Sequence, residues 1–140
     1  MTAWYQEINV VQEPLDMGTD DNNRPKVGFN IETVKRPSDS FAEEIVGLLV
    51  AAGVGIAAGA GADIFVGTKH KVPDGDGPYL TMIETGGATP LRTHNDIGPP
   101  AYTRPTAQLV ARAKKYTDAR ARARAAYDAL VGIRNTTVAG

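Results

Sequence analysis

The stretch "YLTMIETGGATP", Tyr79 to Pro90, is an apolar run that meets a glutamate and then a glycine pair. Either Gly86-Gly87 cradles a phosphate, or a strand stops there. A phosphate loop needs G-x-x-x-x-G-K-[ST], because backbone amides wrap the phosphates while the lysine and hydroxyl complete the charge and metal contacts. Five positions beyond Gly86 stands Leu91, and no lysine follows before Lys114. Gly61 to Gly67 with Thr68 and Lys69 has one residue too many and no Gly-Lys pair. The glycine pair therefore predicts a strand end, and its surroundings predict a sheet.

Working outward, Ile64, Phe65 and Val66 form a short apolar strand, and "KVPDGDGP", residues 71–78, turns the chain into Tyr79 to Thr85 as a hairpin. Downstream, "RTHNDIGPPAYTRP", residues 92–105, holds three prolines and a glycine, which exclude regular structure through most of it. Thr106 to Ala113 then alternates, with Ala107, Leu109 and Ala111 on one face and Gln108, Val110 and Arg112 on the other. A helix is predicted over 117–131, with Thr117 as N-cap, Asp118 in the first turn and Gly132 just past the end. Its stripe of Ala119, Ala123, Ala126, Tyr127, Leu130 and Val131 is mostly small, which lets a helix sit close to a sheet.

Before the opening stretch, Trp4 to Val11 reads as a half-buried strand with Trp4, Ile8 and Val10 on one face and Tyr5, Glu7 and Asn9 on the other. "LDMGTDDNNRP", residues 15–25, is turn-forming and predicts an exposed loop. Val27, Phe29 and Ile31 mark a second strand that pairs with the first as a long-looped hairpin. Pro37 ends it, and Ser40 followed by Glu43 has capping-box spacing. The helix that follows carries the stripe Phe41, Ile45, Leu48, Leu49 and Ala52, and Gly53 closes it ahead of a loop of alanine and glycine. There is no internal repeat and no sign of a second domain.

The chain of 140 residues suits one hydrophobic core burying roughly two-thirds of the unfolded surface. It has no cysteine, so neither disulfides nor thiolate chemistry are available, which suits a reducing cytoplasm. The net charge of −1 is uneven: residues 1–100 hold 14 acids and 7 bases (−7), and residues 101–140 hold 2 acids and 8 bases (+6). Such polarity attracts nucleic acid to one face, or attracts copies of the same protein through opposite faces. With aromatic residues at 6% and few in the basic portion, a stacking platform for single strands is not expected. "MTAWYQEINV" lacks the basic and apolar regions of a signal peptide, so export is not expected. Ile45 to Ala62 is uncharged and includes Gly55-x-x-x-Gly59, but it is mostly alanine and glycine. Its flanks are Glu43, Glu44 and Asp63, with no cationic anchor or aromatic belt, and no membrane span is expected.

The chemical motifs are sparse. Asp74 and Asp76 resemble the start of a calcium loop, but its twelfth position is Thr85 where a glutamate should stand. Asp20 and Asp21 read as solvated loop carboxylates, and His70 and His94 have no ligand-like spacing. The only serines are Ser38, beside a proline, and Ser40, a helix cap, so no nucleophile is set up and no enzyme is expected. No cofactor or metal is called for. The remaining cluster is basic: Arg120, Arg122 and Arg124, with Arg112, Lys114 and Lys115 before them. A solvated helix face accounts for it, with Asp118/Arg122 and Arg124/Asp128 as i, i+4 pairs. A DNA-backbone contact using segment 104–124, or an oligomer interface, are the functional readings.

In order along the chain, "SFAEEIVGLLVAAGVG", "DIFVG", "PYLTMIETGG" and "YTRPTAQLVARAKKYTDARARARAAYDALVGIRNTTV" resemble the tail terminator proteins of long-tailed bacteriophages, also termed minor capsid or tail-completion proteins. The resemblance covers residues 38–138, a helix-strands-helix body. In relatives the equivalent of the 1–36 hairpin follows the last helix, so this chain looks circularly permuted, which requires its ends to lie together at the surface. Thr136 to Val138 should therefore lie near Trp4 to Ile8. The resemblance implies an α+β single domain, a largely antiparallel β-sheet packed by two α-helices. It further implies a structural virion protein: a hexameric ring that caps the tail tube and stops its polymerisation. The ring would also offer the surface for the head-tail connector or head completion protein. Genomic DNA would pass through the lumen without sequence-specific binding, and the protein would sit at the head-proximal end of the tail after assembly in the host cytoplasm. On this reading Arg112, Arg120 and Arg124 belong to a subunit interface. Loops 13–26 and 67–78, with Asp16, Asp20, Asp21, Lys69, Lys71, Asp74 and Asp76, meet the tube or connector.

Overall fold

Alternation of apolar residues builds the centre of the molecule. The computed structural model describes residues 2–36, 41–57, 61–67, 72–91 and 102–139. Strands β3 (Pro25–Lys35) and β6 (Tyr102–Arg112) lie side by side, antiparallel, from Lys26 opposite Arg112 to Lys35 opposite Thr103. Val27, Phe29 and Ile31 from one, and Ala107, Leu109 and Ala111 from the other, point to the same buried face. Each large apolar side chain removed from water there contributes about 1.5–3 kcal/mol.

The sheet spreads from this pair in the order β4 (Ile64–Val66), β5 (Tyr79–Leu91), β6, β3, β1 (Thr2–Val10), β7 (Arg134–Ala139), with β2 (Leu15–Thr19) paired to β3 off that path. Every pairing but one is antiparallel, and two helices, α1 (Phe41–Ala51) and α2 (Tyr116–Leu130), complete a small α+β fold. α2 packs across β3 and β6, where Ala119, Ala123 and Ala126 are fully buried and Tyr127 meets Phe29 edge-on at 5.9 Å. α1 packs against α2 and β7, burying Phe41, Ile45 and Leu49.

Several sequence expectations change. β4 and β5 form no hairpin: Ile64 to Val66 run parallel to Leu80 to Met82, so the segment between them is a crossover rather than a turn. Composition reveals that a segment reverses or loops, but not how the strands on either side pair. Gly86-Gly87 does not end a strand, since β5 continues to Leu91 through a bulge between Glu84 and Gly86. Gly86 adopts φ +99°, open to glycine at little cost, and a side chain on Gly87 would collide with the Arg104 carbonyl oxygen.

The face assignment in β1 also changes. Its register against β3 slips between Tyr5 and Glu7, so Tyr5 is fully buried along with Ile8. A bulge reverses the phase that strict alternation assumes. The loop expected after Pro14 contains β2, and the described part of the 92–105 loop, from Tyr102, already belongs to β6. α2 begins at Tyr116 with Lys115 as N-cap and no side-chain cap, not at Thr117. Ala52 and Val131 are exposed rather than core. Pro37, Ser40, Gly59, His70 and His94 lie outside the described residues. α1 stops at Ala51, and no described helix is long and apolar enough to cross a membrane.

The two ends of the chain meet in the sheet. Thr2 faces Ala139, Trp4 faces Thr137 and Tyr5 faces Thr136, as expected for Thr136 to Val138.

Candidate assembly surfaces

The two loops expected to meet partners are fastened to one another. Asp20 opens the turn before β3: its carboxylate accepts from the backbone amides of Asn22 and Arg24 and, at 2.8 Å, from Arg24 Nε. Arg24 is itself buried, and its other nitrogens donate to the carbonyls of Asp74 and Gly75 at 2.6 Å and to the Asp74 carboxylate at 3.0 Å. Asn22 Nδ2 reaches the same Asp74 oxygen. From the end of β6, Arg112 Nη2 donates to the carbonyls of Pro73 and Gly75 while its guanidinium lies over the Tyr79 ring, 5.4 Å from its centre. The result is a clasp in which planar guanidinium groups satisfy loop carbonyls that have no strand partner.

Electrostatics follow from that geometry. Burial opposes the charge on Asp20, but the hydrogen bonds from Arg24 and Asn22 and the Arg24 charge outweigh it and hold the carboxyl below its usual range. Burial likewise opposes the Arg24 charge, and Asp74 and Asp20 outweigh it, raising the guanidinium further.

Of the residues singled out by sequence, the clasp gathers Asp20, Asp74 and Arg112. Arg112 is thus committed within its own chain. Asp16 accepts from the Gly18 amide at 2.8 Å, Asp21 and Asp76 are exposed, and Lys69 and Lys71 lie outside the described residues. On α2, Arg124 is half-exposed, stacks on Tyr127 and pairs with Asp128 at 3.4 Å and Glu13 at 3.7 Å. Arg120 is exposed with no ion pair among the described residues, as are Lys114 and Lys115. The expected Asp118/Arg122 pair does not form: Arg122 turns instead to Asp63 at 3.0 Å and to the Val54 carbonyl, pinning the segment that follows α1.

Sequence reasoning missed a third group. Tyr5 Oη donates to Glu44 Oε1 at 2.8 Å, and Lys35 Nζ meets the same oxygen at 3.1 Å, with all three residues fully buried. Burial, followed by the hydrogen bond and charge of Glu44, pushes the Tyr5 phenol well above its ordinary value. The signal was present in phase, because Lys35 continues the inward alternation of β3 and Glu44 sits beside Ile45 on the apolar stripe. Breaking a buried ion pair by removing one partner costs about 3–5 kcal/mol, so the group ties α1 through Glu44 to Tyr5 of β1 and Lys35 of β3.

Several hollows border these elements, among them one lined by Asp20 and Arg112 of the clasp. An apolar groove of about 530 Å³ runs between α1 and β4, lined by Val46, Val50, Ile64 and Val66. A polar one of about 250 Å³ lies among Glu7, Asn9, Glu32, Arg104 and Thr106 on the sheet. Among the described residues, no three His, Cys, Asp or Glu side chains converge as a metal site would require. No protein-family model, curated protein or solved structure matches the chain.

Proposed function

We propose that this chain is a tail terminator: a structural protein whose copies form a ring that caps a phage tail tube, halts its growth and presents a surface for the head-tail connector. The observation that supports this most is the pairing of β7 with β1, Thr2 opposite Ala139. It gives the 1–36 segment the place in the sheet that it would occupy if it followed the last helix, as in the proteins that residues 38–138 resemble. The unequal charge of the two portions of the chain, −7 and +6, also suits head-to-tail contacts that close by rotation. In this reading Arg120 and the exposed part of Arg124 face a neighbouring copy, and the clasped loops meet the tube or connector. Electron micrographs of the purified protein, alone and with tail tubes, test it. Annular particles and capped tube ends are expected; single globules that ignore tube ends overturn it.

A second reading is a DNA-binding accessory protein. It is favoured by Lys114, Lys115 and Arg120, which cluster at the exposed start of α2 without ion-pair partners among the described residues. Salt-sensitive DNA affinity together with a monomeric mass selects this reading over the ring.

A further inference from the structure

Among the described residues the sheet has two ends, and neither pairs its outer backbone along its full length with another strand, although α1 packs against β7. At one end β7, with the sequence RNTTVA, pairs with β1 on one side. Among the described residues no strand pairs with its other side. Natural edge strands are usually blunted by lysine, proline or a bulge of their own, because an open row of N–H and C=O groups recruits another strand. β7 has no lysine and no proline, and its ladder with β1 carries no register shift.

At the other end, β4 covers only Leu80 to Met82 of β5. Beyond it β5 runs from Ile83 to Leu91, exposed from Ile83 to Pro90, with no strand on its outer side among the described residues. The bulge at Glu84/Gly86 and Pro90 limit this edge to a short partner, and β7 has six residues.

Strand direction decides which copy-to-copy pairing closes a ring. Four successive antiparallel pairings separate β5 from β7, so the two point the same way. Two copies related by rotation about an axis along the strands therefore bring β7 of one parallel to β5 of the next. That is the sense in which β4 already pairs with β5. Pairing β7 with β7 would instead be antiparallel, would make a closed dimer, and would leave both β5 edges unused.

We propose that β7 of one copy adds in parallel to the Ile83–Thr89 edge of β5 in a second copy, joining the subunits through a continuous sheet. This rests on the ring reading and specifies how that ring is held.

The absence of cysteine makes the test clean. Ala88→Cys and Thr137→Cys each alter an exposed position on one edge. Mixing the two single variants with a short thiol-reactive cross-linker should yield mainly the mixed dimer, and the double variant should yield a ladder ending in one closed species. In the unsubstituted chain, amide exchange in 134–139 should slow on assembly. Light scattering separates the two ideas. A chain that assembles but cross-links only through Thr137→Cys pairs, or not at all, with 134–139 exchange unchanged, overturns the edge pairing and leaves the ring standing. A chain that remains monomeric alone and with tail tubes overturns both.

Discussion

Asp20 makes the loop clasp sensitive to acid in a defined direction. Its folded pKa lies below that of an unfolded chain, so the stability it contributes is fully present above the ordinary carboxylate value of about 3.9 and is lost as pH falls through the depressed folded value. The unfolding midpoint of the native chain should exceed that of Asp20→Asn by a constant margin from neutrality down to that range, then by a shrinking one. Urea titrations across pH measure this. A margin that persists undiminished into strong acid would show that the clasp does not depend on the Asp20 charge. The Tyr5–Lys35–Glu44 group works on the same scale but out of water, where a misplaced partner costs far more than at the surface.

At the scale of elements, α2 starts badly. Lys115 is its N-cap, has no side-chain hydrogen bond to the first turn, and places a cation where the helix dipole is positive. Lys115→Asp should raise stability by about 0.5–2 kcal/mol, read as an increased denaturant midpoint. Most of both helices and the alternation in β3 and β6 were legible in sequence because period and burial agree there. The bulges were not, since one inserted residue at Tyr5/Glu7 or Glu84/Gly86 reverses phase without any local mark beyond the second site's glycines. The parallel β4–β5 pairing was hidden for a different reason: pairing sense is a property of distant strands. The clasp was half-visible, as its acids stood out in the loops while nothing set Arg24 apart within the turn-forming stretch 15–25.

For the molecule as a whole, the pairing of Thr2 with Ala139 implies that chain order is separable from architecture. A variant that joins Gly140 to Met1 by a short linker and opens the chain between Arg36 and Phe41 should fold to the same circular dichroism spectrum. Its stability should lie within about 1 kcal/mol of the present chain, because the new loop closes ends that already meet. Failure to fold would mean that the segment between β3 and α1 does more than connect them. The same pairing also bears on synthesis. During translation β1 is made before its neighbour β7, with β3, β6 and both helices between them, so one flank of the nascent sheet waits, uncovered, until β7 is synthesised. Completion of that flank therefore comes late, and β1, made before both β3 and β7, is among the last strands to acquire its full set of neighbours.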